Sequence, residues 1–166
     1  MTPPANSSPS AGNKTPRILI YGYGNPGRQD DGLGVTLVEE LEQWAATEKI
    51  TGLDFDSNYQ LNAEDSLALA EHDMVVFADA TGEGTDAFAF RRLEPHATIA
   101  FSTHAMAPES VLALCSELYG KQPATWLLTI RGFAWEPNAA PTPAAQANLA
   151  AALAFLKPWL RAQAGG

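Results

Sequence analysis

Two carboxylates and one imidazole, each set at the edge of an apolar run, are the side chains of this sequence best suited to chemistry. Asp31 lies in the glycine-rich stretch 22–34 (GYGNPGRQDDGLG), Asp79 directly follows the apolar run MVVFA at 74–78, and His104 closes FSTH at 101–104. Two aspartates and a neutral imidazole, with coordination positions left over, suit a divalent ion of the zinc or nickel kind. Each residue also has a plainer use. Asp30 or Asp31, ahead of an apolar-periodic segment, reads as a helix N-cap, Asp79 as the cap of a turn at Thr81-Gly82, and a lone histidine as a merely hydrogen-bonded group.

Other chemistries find less support. Cys115 falls on an inward stripe with Val111 and Leu118, which makes it a small buried apolar residue rather than a nucleophile. His72, between Glu71 and Asp73, and His96, after Glu94-Pro95, have no partner at metal-ligand spacing and are assigned no role. No Gly-x-Ser-x-Gly elbow is present, so serine hydrolase chemistry is not indicated. Gly22 and Gly24 hint at a dinucleotide turn, but Asp30 and Asp31 follow and would repel a pyrophosphate.

The elements around these residues alternate. RILIY at 17–21 reads as a strand buried on both faces that stops at Gly22. Leu33, Leu37, Leu41 and Trp44, with Val38, mark one face of a helix that ends before Lys49. A weaker strand at 53–56 precedes a short helix through Ala70 with Asn62 as N-cap, and a buried strand at 74–78 ends at Asp79. Alternating 88–93 is a strand with one wetter face. Pro108 opens a helix that Gly120 stops, 126–130 is a further strand, and Thr142-Pro143 caps an Ala-rich helix with Leu149, Leu153, Leu156 and Leu160 inward, its end kinked or shortened by Pro158. Such alternation predicts an α/β, three-layer αβα sandwich with a mainly parallel sheet. Function then belongs at the strands' carboxyl ends, where Asp31, Asp79 and His104 converge.

The 166 residues, 46% hydrophobic and 17% charged, suffice for one core. A formal net charge of −9 argues against nucleic acid and anionic membrane as partners. No apolar run nears the roughly 18 residues of a membrane span and no secretory pattern opens the chain. One cysteine suits a reducing compartment, and a cytoplasmic location is expected. Residues 1–16, rich in Pro, Ser, Asn and Gly, read as a disordered tail ahead of a single domain at 17–164, within which 136–143 is a connection.

Taken in order, the Gly22-Tyr23-Gly24-Asn25 and Asp30-Asp31-Gly32-Leu33-Gly34 pair, the strand ending in Asp79-Ala80 and then Ser102-Thr103-His104 resemble the hydrogenase maturation protease family, over about residues 17–160. The resemblance implies an endopeptidase that removes a C-terminal extension from the nickel-loaded precursor of a nickel-iron hydrogenase large subunit. It further implies that Asp31, Asp79 and His104 are the metal-binding and catalytic residues, although some members carry Glu where this chain has Asp31. Nickel would come with the precursor, and Gly24 and Asn25 would form the loop that meets the substrate. Tyr59-Gln60-Leu61 with Glu64-Asp65 resembles the branch serving soluble NAD-linked hydrogenases. Two rivals remain at this point. A nickel-dependent maturation chaperone would use the same ligands without cutting. Gly24-Asn25-Pro26-Gly27 also resembles the opening of peptidyl-tRNA hydrolase, which needs a histidine soon after the turn and a basic surface.

Overall fold

A strand with no charged side chain from 18 to 21 suits the inside of a sheet, and the computed structural model, which describes residues 15–96 and 106–165, places it there. Five strands, β1 (Ile18–Tyr23), β2 (Leu53–Asn58), β3 (Met74–Thr81), β4 (Phe88–Leu93) and β5 (Ala124–Arg131), form one sheet in the order β2-β1-β3-β5-β4. All neighbours are parallel except β4, which runs antiparallel to β5 at the edge. Helices α1 (Leu33–Thr47) and α4 (Pro143–Gln163) cover one face, and α2 (Asp65–Ala70) and α3 (Pro108–Tyr119) the other.

Side-chain alternation divides the core. Ile18, Ile20, Val76 and Ala78 point toward α1 and α4, where Leu37, Leu41, Leu149, Leu153 and Leu156 meet them. Leu19, Tyr21, Val75 and Phe77 point toward α2 and α3 and pack on Leu69, Val111, Leu112 and Cys115. Cys115 is fully buried, its thiol donates to the Lys121 carbonyl at 3.3 Å, and burial pushes its pKa up. The three-layer αβα expectation therefore holds, and Cys115 is buried with Val111 as expected, but Leu118, expected on the same stripe, is 58% exposed.

Several local expectations change. β1 does not stop at Gly22 but runs on to Tyr23, because Gly22 and Tyr23 keep pairing with Ser57 and Asn58 of β2. β3 likewise continues past Asp79 to Thr81, held by its ladder to β5. Asn62 does not cap α2 with its side chain. Its N–H instead donates to the Asp65 carboxylate at 2.7 Å, the acidic half of a capping box, and the helix begins at Asp65. Pro158 neither ends nor shortens α4, which continues to Gln163. The carbonyl it leaves unpaired belongs to exposed Ala154, where water can reach it. Pro108 at the first turn of α3 and the left-handed Gly120 after it stand as expected. The tail assigned to 1–16 lies outside the described residues up to Asn13 and Lys14, and so does the segment carrying His104.

His72, given no role by its spacing, fastens two layers. Its Nδ1 lies 2.6 Å from the Ala68 carbonyl on α2 and its Nε2 2.7 Å from Asp54 Oδ2 on β2, with the side chain only 6% exposed. Replacing it by alanine strands a part-buried helix-end carbonyl, so His72→Ala should lower the unfolding free energy by about 1–2 kcal/mol in urea titrations near pH 6. The hydrogen bond from His72, and then that from Arg17, hold the Asp54 carboxyl below its ordinary 3.8. A lowered folded pKa means stability present above 3.8 and lost as pH falls through the folded value, so the His72→Ala deficit should narrow in acid.

Candidate active site

After β1 the chain crosses to β2 on one side, while β3 pairs with β1 on the other, so the sheet order reverses between β1 and β3. A crevice opens at such a switch point beyond the carboxyl ends of the strands. The turn after β1 and the end of β3 flank that point, with Asp31 on the one and Asp79 on the other, near enough for the charge of Asp31 to act on Asp79.

Two glycines make that approach feasible. Gly24 has φ +134°, and a Cβ there would sit 2.2 Å from the Asp31 carbonyl oxygen, so the turn can fold back on itself only without one. Gly34, in the first turn of α1, lies flat on β3, where a Cβ would stand 2.3 Å from the Ala78 carbonyl and 3.1 Å from Asp79 Cα. Between them a 3-10 turn, Gln29–Gly32, carries Asp31. The Asn25 N–H donates to Asp31 Oδ2 at 2.8 Å, which ties the carboxylate to the glycine-rich turn.

Asp79 stands where β1 has run out. The last rung between β1 and β3 is Gly22 opposite Ala78, whereas the β3–β5 ladder continues to Thr81. Alternation sends Asp79 to the α2/α3 side with Val75 and Phe77. Its Oδ1 accepts the Ala80 N–H at 2.8 Å, so it does not cap the Thr81-Gly82 turn, which Thr81 closes itself through the Glu83 N–H. The Tyr23 hydroxyl is its other hydrogen-bonding neighbour. Burial raises the Asp79 carboxyl to about 7, and the negative charge of Asp31 adds to the rise. The hydrogen bonds from Ala80 and Tyr23 oppose it without prevailing.

Asp30, by contrast, belongs to the scaffold. It is fully buried and accepts from the Phe133 N–H at 2.7 Å, the Ala134 N–H at 3.1 Å, and the Thr142 N–H and hydroxyl, both at 2.8 Å. Neither Asp30 nor Asp31 caps α1, whose N-cap is Gly32 with no side-chain bond. The Asp30 carboxylate serves a long-range tie instead of a local cap.

Tyr23 and Glu109 are neighbours that the sequence reading missed. Burial, then the charges of Asp79 and Glu109, push the Tyr23 hydroxyl pKa up, and Glu109 itself is paired with Arg91 at 2.9 Å. Tyr23 lies two rungs beyond the expected strand end at Tyr21. Among the described residues no three His, Cys, Asp or Glu side chains converge on one metal position. Asp31 and Asp79 supply two, and His104 lies outside the described residues. As a donor set the pair fits a divalent cation: two carboxylates, one of them raised by burial and further by the other's charge, are short of positive charge.

No family model and no curated protein matches the sequence. Solved structures do. The hydrogenase maturating endopeptidase HybD from E. coli is 25% identical with a TM-score of 0.67, over 87% of this chain and 92% of that one. The [NiFe] hydrogenase maturation protease HycI from Thermococcus kodakarensis KOD1 gives 22% and 0.68, over 93% and 96%, and the hydrogenase 2 maturation peptidase from Thaumarchaeota archaeon SCGC_AB-539-E09 gives 19% and 0.62, over 87% and 97%. These last two speak for the fold, and the first adds sequence identity to it across nearly the whole of both chains. By fold over nearly the whole of both chains, and by 25% identity with one of them, this chain is similar to the hydrogenase maturation proteases.

Proposed function

We propose that the protein is the endopeptidase that removes a C-terminal extension from the nickel-loaded large-subunit precursor of a nickel-iron hydrogenase, engaging the precursor's nickel through Asp31, Asp79 and His104. The observation that supports it best is the Asp31–Asp79 pair at the switch point, whose mutual repulsion a bound cation relieves. Nickel is here part of the substrate. An unloaded precursor offers no ion to bridge the carboxylates and binds weakly, so cleavage waits for metal insertion. Asn25, whose N–H is already committed to Asp31, couples the glycine-rich loop to the carboxylate that meets the metal. Tyr59, just past β2, is 70% exposed, and with Gln60 and Leu61 it carries the resemblance to the branch serving soluble NAD-linked hydrogenases.

Intact mass of nickel-loaded and nickel-free precursor, before and after incubation with the protein, tests this. Loss of a C-terminal peptide from the loaded precursor alone is the expected result. A stable nickel-dependent complex without loss of mass would instead make the protein a chaperone, and no effect on either precursor would overturn the reading. Within the described residues no helix is long and apolar enough to cross a membrane.

A further inference from the structure

Tyr23 is the last residue of β1 and, with Gly22 opposite Ala78 in the ladder, stands beside Asp79. Its ring packs edge-on against Phe77 at 6.3 Å and 78°, on the same side as Tyr21, which meets Phe77 at 6.0 Å and 62°. The ring is therefore held by the core of the α2/α3 layer, with its hydroxyl near Asp79. Packing alone would not call for that hydroxyl. A phenylalanine fills the same aromatic contact without placing a polar group in a half-buried position.

The two tyrosines use their hydroxyls differently. Tyr21 donates to Asp65 at 3.0 Å and so ties β1 to α2, a structural bond. Tyr23 faces two carboxylates, Asp79 and Glu109. Glu109 already has the Arg91 guanidinium at 2.9 Å, whereas the charged neighbour of Asp79 is another aspartate, Asp31. Tyr23 follows Gly22 as Asp79 follows Ala78 in the paired strands, which puts its hydroxyl beside that carboxylate.

We propose that Tyr23 is a positioning residue for Asp79: a phenol anchored by Phe77 fixes the carboxylate beside Asp31 so that the two present a single mouth to a divalent ion. This rests on the reading that Asp31 and Asp79 engage the precursor's nickel. A donor held on a rigid aromatic ring orients a ligating carboxylate at little entropic cost, and loss of such outer partners typically weakens metal binding by about 10–100-fold.

The test compares wild type, Tyr23→Phe, Tyr23→Leu and Asp79→Asn in three measurements: single-turnover cleavage of nickel-loaded precursor at saturating protein, calorimetric titration of the free chain with Ni2+ alone, and thermal melting. Tyr23→Phe is expected to keep the wild-type melting temperature while losing about tenfold in both cleavage rate and Ni2+ affinity. Wild-type rate and affinity in Tyr23→Phe, with both lost in Asp79→Asn, would overturn the inference and leave the role of Asp79 standing. So would a rate deficit that appears only with a lowered melting temperature in Tyr23→Leu, which is a packing effect. Wild-type behaviour of Asp79→Asn, or no uptake of Ni2+ by the wild type, would instead overturn the reading beneath it.

Discussion

Asp79→Asn should abolish precursor cleavage, by more than about a hundredfold, while making the protein more stable at pH 8. The amide keeps the shape of the side chain and can still accept the Ala80 N–H that now binds Oδ1 at 2.8 Å. It removes the negative charge that a cation would bind. It also removes a charge that the fold tolerates poorly, since burial and Asp31 raise the Asp79 carboxyl from 3.8 to about 7. A folded pKa above the unfolded one means stability that is complete below 3.8 and lost as pH rises through 7. The asparagine variant escapes that loss. Its advantage should be absent in acid, grow between pH 4 and 7, and reach on the order of 2 kcal/mol above that, roughly 5 °C in Tm. Paired activity and melting curves from pH 4 to 8 check both halves. A variant that loses activity and stability together would mean that Asp79 holds the crevice together rather than serving it.

The opposition between function and stability at Asp79 was legible in the sequence only in outline. A carboxylate after MVVFA announces itself at the end of a buried strand, and the alternation of elements suffices to place it on the same rim as the turn after β1. Pro108 with Gly120, and Thr142 with Pro143, bracket α3 and α4 because capping is local chemistry. Where a residue's partner is distant in sequence, spacing gave no sign of it. Gly22 was taken as a strand terminator, but its lack of a Cβ admits the Gly34 carbonyl while the ladder continues to Tyr23, so the tyrosine beside Asp79 went unnoticed. His72 had no metal-ligand spacing and still found two partners, on α2 and β2. Whether a helix survives an internal proline depends on whether its orphaned carbonyl faces water, and a one-dimensional pattern does not say so for Pro158.

Asp30 is the clearest such case, and Asp30→Ala should be the most destabilising single substitution near the crevice. Its carboxylate accepts four hydrogen bonds from residues more than a hundred positions away, at Phe133, Ala134 and Thr142, and its own N–H donates to the Ala134 carbonyl at 3.1 Å. Thr142 in turn caps α4 by accepting the Ala145 N–H at 3.2 Å. Alanine would leave three backbone N–H groups and a hydroxyl without their acceptor and would loosen the start of a helix that buries Leu149, Leu153, Leu156 and Leu160. The expected loss is about 3–5 kcal/mol by urea or thermal unfolding. Asp30→Asn, which keeps one acceptor oxygen but turns an amide N–H toward donors, should fall between the two and remain folded enough to measure. Burial pushes the Asp30 carboxyl upward, but the hydrogen bonds from Phe133, Thr142 and Ala134 outweigh it and the folded pKa lies below 3.8. Its stabilisation is therefore present above 3.8 and lost as pH falls through the folded value, the reverse of Asp79. The gap between wild type and Asp30→Asn should stay level from pH 5 to 8 and close in acid, whereas the gap for Asp79→Asn opens upward with the opposite sign. A loss under about 1 kcal/mol for Asp30→Ala would mean that the loop after β5 is held by something other than this carboxylate. Because Asp31 is its immediate neighbour, slackening Asp30 should also slow cleavage, through the position of the Asp31 carboxylate rather than through any contact with the precursor.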